Sequence, residues 1–121
     1  MKEINYRFFH WGPFLYQTEI IKEEVDAIKK FCSKNNKDYR KNLAGVIKHE
    51  HEINHEKISP IIAPYVKSYL KGFKNYTGKY LGSEFQLVSS WVNYMTKFES
   101  NPMHTHGGDL SFVLFTKVSK E

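Results

Sequence analysis

Glu84-Phe85-Gln86-Leu87-Val88-Ser89-Ser90-Trp91-Val92-Asn93-Tyr94-Met95 is the stretch on which the fold turns. Upstream of it, apolar residues recur every three to four positions; within it the period falls to two. Phe85, Leu87, Ser89, Trp91, Asn93 and Met95 alternate with Gln86, Val88, Ser90, Val92 and Tyr94. Successive side chains of an extended chain point to opposite faces, so the pattern predicts a long strand partly covered on both faces. Residues 99–103 follow as a turn. Residues 103–106 and 110–118 read as further strand, with Leu110, Phe112, Leu114 and Val118 on one side.

Before this stretch the pattern is helical. Ser59-Pro60 supplies a cap and a first-turn proline, and Ile62, Val66, Tyr69, Phe73 and Tyr76 form a stripe, which predicts a helix over 60–76. Pro64 is expected within its first turn, where a missing N–H costs little. An earlier helix is predicted over 19–32, capped by Thr18, with Glu19 near its positive end and Ile21, Val25, Ile28 and Cys32 on one face. Residues 5–16 are aromatic and broken by Gly12-Pro13, and read as an extended segment or kinked strand. Residues 33–42 are a polar surface loop, and 43–47 are either a short strand or a turn. Helices followed by strands predict an α+β fold, with helices packed on one face of an antiparallel sheet.

At 121 residues the chain holds one domain, and 40% apolar residues are enough for a packed core rather than disorder. Its longest apolar runs are far short of the ~20 residues a bilayer needs, and Met1 to Phe9 lacks a signal-peptide core. A single cysteine, Cys32, excludes an internal disulfide and a Cys-rich zinc site, and the expected location is the cytoplasm. The charge balance is 18 basic against 13 acidic residues, but only Arg7 and Arg40 are arginine. Readers of phosphates and base edges lean on arginine forks, so the composition argues against a nucleic-acid partner.

Two histidine groups carry candidate chemistry. The first is His49, His51 and His55, interleaved with Glu50, Glu52 and Glu56. From His51 it reads His-Glu-Ile-Asn-His, the spacing of a zinc hydrolase helix built on His51, Glu52 and His55. Ile53 is the one apolar residue between Lys48 and Lys57, so such a helix has no core face, and the run reads as solvated charge. The second group is Asn101-Pro102-Met103-His104-Thr105-His106-Gly107-Gly108-Asp109. Histidines at i and i+2 of a strand share a face and can meet one ion. The competing reading is a pair of surface histidines at a hairpin end.

Ser90-Trp91-Val92-Asn93-Tyr94-Met95, together with Asn101 to Phe115, resembles the phage- and bacteria-type 2-oxoglutarate/Fe(II)-dependent oxygenases. The matching elements are a Trp-x-Asn strand, an Asn-Pro-x-His-x-His turn and a Leu-Ser-x-Val strand. Leu43 to Glu50 is similar to the Gly-x-Ile-Lys-x-Glu stretch of that family. The resemblance implies an antiparallel double-stranded β-helix, or jelly roll, buttressed by N-terminal helices. Residues 1–82 would be the helical buttress and 83–121 the first jelly-roll strands. It also implies Fe(II) and the co-substrate 2-oxoglutarate, whose oxidative decarboxylation would drive hydroxylation of a substrate not identified by the sequence. His104 would be a metal ligand, with His106 where better-known members carry an aspartate, and Asp109 a further carboxylate. Tyr94 and Asn93 would lie against 2-oxoglutarate.

The family closes its site with a distal histidine and a basic anchor for 2-oxoglutarate. Only 15 residues follow His106, none of them His or Arg, and Lys117 and Lys120 stand too early. The expectation is therefore an incomplete jelly roll, catalytically inactive as this chain, with no catalytic side chain assigned. The alternatives are a non-catalytic, cupin-like module that binds a metal or small ligand, and the zinc hydrolase above.

Overall fold

The aromatic segment near the N-terminus folds back on itself as a hairpin. In the computed structural model, which describes residues 2–10 and 14–120, strand β1 (Tyr6–His10) pairs antiparallel with β2 (Phe14–Thr18), Phe8 opposite Tyr16. The expected Gly12-Pro13 kink lies outside the described residues. Helix α1 (Lys22–Lys29) follows, then a 3-10 turn at Arg40–Asn42, strand β3 (His49–Glu52), helix α2 (His55–Thr77) and strand β4 (Trp91–Tyr94).

One face of the hairpin lies on α2 through aromatic rings. Phe14 meets Phe73 edge-on at 5.3 Å, and Tyr16 meets Tyr69 edge-on at 5.8 Å. Such pairs are worth about 0.5–1.5 kcal/mol each beyond the area they bury. The Tyr16 hydroxyl donates to Ser68 Oγ at 2.8 Å. Gly72 permits the approach: a Cβ there would stand 2.8 Å from Phe8 Cε2 and 3.0 Å from the Tyr6 ring.

Both helices differ from expectation at their starts. Thr18 does not cap α1; its hydroxyl donates to Asn5 O, and the N-cap is Ile21, without a side-chain cap bond. Ile28 carries the buried end of the stripe, whereas Ile21 is half exposed. Helix α2 begins before Ser59-Pro60, because Asn54 Oδ1 accepts from Glu56 N at 3.0 Å and caps it earlier. Pro60 and Pro64 therefore both lie inside the helix, and the carbonyls of Glu56 and Pro60 do not receive the usual i−4 bond. Gly78 ends α2 in the left-handed region at φ 73°, its N–H donating to Lys74 O at 2.8 Å.

The core is Ile28, Ile53, Ile58 and Ile62, with Val66, Leu87, Val92 and Leu114 packed around it. Glu24 links the helices: its Oε1 accepts from Tyr65 OH at 2.7 Å and also from Lys2 Nζ.

The first half of the His/Glu run expected as solvated charge is instead a strand, buried at Glu50 and His51, while Glu56 and Lys57 at the start of α2 are exposed. β3 pairs antiparallel with β4, Glu50 opposite Asn93. Along its other edge Tyr39 N donates to Glu50 O at 2.9 Å, and Glu52 N to Lys37 O at 2.8 Å. With backbone bonds on both edges, these residues are held inside despite their polarity. Glu50 is 1% exposed and His51 9%.

The jelly roll is not formed. Among the described residues there are two two-stranded antiparallel sheets, β1–β2 and β3–β4, and three of the four strands precede residue 82. The stretch over 84–95 is strand only at Trp91–Tyr94, and 103–106 and 110–118 form no strand. Both faces were expected to be partly covered; Phe85, Leu87 and Ser89 are half-buried and Ser90 is buried, while Gln86, Val88 and Met95 are exposed. Alternation does not report a backbone partner, and 110–118 has none among the described strands. Among the described residues, no helix is long and apolar enough to cross a membrane.

Candidate functional site

Register sorts the side chains of β3 and β4 onto two faces. Glu50 and Asn93, directly opposite, share one face with Trp91; His49, His51, Val92 and Tyr94 share the other. The first face forms the floor of a cleft of about 430 Å³, with Tyr39 on one side and Asn101, His104 and His106 on the other. The Tyr39 and Trp91 rings stack at 5.5 Å, and the His106 ring lies nearly parallel to Trp91 at 6.4 Å.

His104 and His106 are exposed, lie on irregular chain rather than a strand, and converge nonetheless. Their Nε2 atoms stand 3.1 Å apart, at hydrogen-bond distance from each other. His104 Nδ1 lies 2.6 Å from Pro102 O. A carbonyl only accepts, so Nδ1 carries the proton and the lone pair of the neutral ring is on Nε2. Two imidazole nitrogens at about 2.1 Å from one ion and at right angles to each other stand about 3.0 Å apart. The pair therefore fits two adjacent positions on an octahedral divalent ion such as Fe(II).

No third side chain completes the set: among the described residues no group of three His, Cys, Asp or Glu is placed to hold a metal. Asp109 is exposed and does not join the pair. Asn93 lines the cleft, whereas Tyr94 is on the opposite face of β4, its ring 6.3 Å from His51 and 5.2 Å from Lys34 Nζ. No Lys or Arg is among the residues that line the cleft, and Glu50 puts a carboxylate there. The carboxylates of 2-oxoglutarate need a basic partner, and none of the lining residues supplies one.

His51, Glu52 and His55 do not share a helix. His51 and Glu52 are on β3, and His55 is the first residue of α2. His51 Nδ1 bonds Asn36 O at 2.9 Å, and Glu52 and His55 border a separate depression of about 700 Å³. The geometry required of a zinc hydrolase helix is absent.

Glu50 is the residue that sequence reasoning missed. Its Oε1 is buried with no hydrogen-bond partner, as is Asn93 Oδ1 beside it. Burial pushes the Glu50 carboxyl above the usual carboxylate range; Asp38 and Glu99 add to the shift and Arg40 opposes it. Arg40 is itself engaged by Asp38, whose carboxyl it holds down at about 2. No local sequence pattern marks Glu50; its burial follows from its register opposite Asn93.

No family model, curated protein or solved structure matches the chain.

Proposed function

We propose that this chain is a metal-binding module in which His104 and His106 hold a divalent first-row ion, Fe(II) being the ion implied by the oxygenase resemblance of residues 90–115. The observation that carries this reading is the 3.1 Å separation of the two Nε2 atoms, with His104 fixed in the ligating tautomer by Pro102 O. The Pro102 bond orients the first ring, and Trp91 backs the second. Bound there, an Fe(II) ion would supply Lewis acidity and access to redox chemistry. The chain supplies position: a cleft walled by Tyr39 and Trp91 and floored by Glu50 and Asn93.

Two side-chain ligands make a weak site, and protons compete for their lone pairs, so binding weakens as pH falls. Anaerobic equilibrium dialysis with Fe(II) tests the proposal. One ion per chain is expected, lost in both His104→Ala and His106→Ala. Retention of the ion by both variants would overturn it.

The second reading, an oxygenase, is favoured by the run from Ser90 to Phe115 and weakened by the cleft's lack of a basic side chain. Succinate formation from 2-oxoglutarate with Fe(II) and ascorbate separates the two. The metal-binding module forms none above a metal-free control.

A further inference from the structure

The two oxygens at the floor of the cleft pose a chemical problem that the histidine pair does not solve. Glu50 is 1% exposed, and its Oε1 has no hydrogen-bond partner in the chain. Asn93 Oδ1, across the β3–β4 ladder, is likewise buried and unpartnered. Both residues line the cleft that holds His104 and His106. Leaving a buried acceptor unsatisfied is costly, more so for a charged one, and few native groups are left so without a reason.

We propose that Glu50 and Asn93 form a subsite for the cationic nitrogen of a small organic molecule, an alkylguanidinium or alkylammonium, whose N–H groups they accept. Three features select this class. Both unpartnered atoms are oxygens, and with Glu50 ionised both accept, so the ligand must donate. Glu50 is the one Asp or Glu on the cleft lining, and no Lys or Arg offsets it, so the ligand is positive. The nearest arginine named in its electrostatics, Arg40, is tied to Asp38 by Nε bonds of 3.0 and 2.9 Å and is not spare. A cleft of about 430 Å³ accommodates a molecule the size of an amino acid or alkylguanidine.

The subsite deepens the proposed function by naming what would sit beside the metal. It rests on that reading only for its role, since the acceptors belong to different side chains from the ligands. The test keeps the two apart by using chelator-treated protein. Trp91 emission, isolated by Trp11→Phe, is titrated with n-butylguanidinium chloride and with its neutral analogue n-butylurea. The cation is expected to saturate and the urea not to. Glu50→Gln should weaken cation binding at least tenfold, and Asn93→Leu should weaken it independently, each variant first shown to melt cooperatively. Equal binding of urea and cation, no saturation by the cation, or unchanged affinity in Glu50→Gln overturns the subsite. Loss of metal binding alone leaves it standing.

Discussion

Replacing Glu50 by Gln should stabilise the protein at neutral pH and do nothing at low pH. The substitution keeps the shape and the buried carbonyl oxygen but removes the charge. Burial holds the Glu50 carboxyl above its ordinary range, with Asp38 and Glu99 adding to the effect. The unfolded chain ionises this group at a lower pH than the folded chain does. Between the two, the folded state binds more protons, so stability falls as pH rises through the usual carboxylate range and beyond. Below that window the acid is neutral in both states and the penalty vanishes. An unsatisfied buried acceptor costs about 1–3 kcal/mol and a charged one more, and Gln still leaves one acceptor unpaired. The expected gain at pH 7 is therefore about 1–2 kcal/mol, a rise in Tm of about 3–10 °C for a domain of this size. Urea unfolding of both proteins at several pH values from 4 to 8 measures it, the difference growing with pH. A Glu50→Gln protein less stable than wild type at pH 7, or a difference independent of pH, would refute the reasoning.

Gly72→Ala sets a helix-propensity gain of about 1 kcal/mol against an overpacking cost of about 1–3 kcal/mol, because its Cβ would meet Phe8 at 2.8 Å; urea denaturation should show a net loss of about 0–2 kcal/mol, and a clear gain in stability would mean the hairpin is not seated on α2. Ile62→Ala removes a side chain 8% exposed at the centre of the core and should cost about 2–5 kcal/mol in the same assay. Val66→Asp, on the same face of α2, should unfold or aggregate the chain, seen as loss of the cooperative melt. Arg40→Met should return the Asp38 carboxyl from about 2 toward the ordinary carboxylate range, followed by NMR titration of its side-chain carbon. The Arg40 contribution to stability is present above the unfolded carboxylate range and lost as pH falls toward 2.

The parts of this fold legible in the sequence were those where burial follows apolar periodicity. Ile62 and Val66 on α2 came directly from spacing. Strand β3 did not, because His49 to Glu52 holds no apolar residue and is kept inside by backbone bonds on two edges. Periodicity cannot see such pairing. The jelly roll was implied by the oxygenase resemblance, not by periodicity, and Leu110, Phe112 and Leu114 alternate without a strand partner among the described residues. The start of α2 was misplaced because a proline at the first turn is a strong signal, and Asn54 supplied an earlier cap. In the cleft, the convergence of His104 and His106 was anticipated on the wrong local geometry. The i, i+2 spacing assumed a strand, whereas the rings meet across an irregular turn held by the Pro102 carbonyl. Glu50 was hidden because its burial is a property of the register with Asn93, which no local pattern encodes.

The central claim is that His104 and His106 are the metal ligands, and long-range 1H–15N correlation of histidine rings reads it atom by atom. Zn(II), a diamagnetic ion, is added to the 15N-labelled chain, whose six histidines are assigned by single His→Gln variants. The account predicts that the Nε2 resonances of His104 and His106 move together and saturate at one ion. Nδ1 of His104 keeps its proton, and His49, His51 and His55 stay unchanged. Zinc-dependent shifts at His51 or His55, with His104 and His106 unmoved, would contradict it and place the metal on the other side of β3.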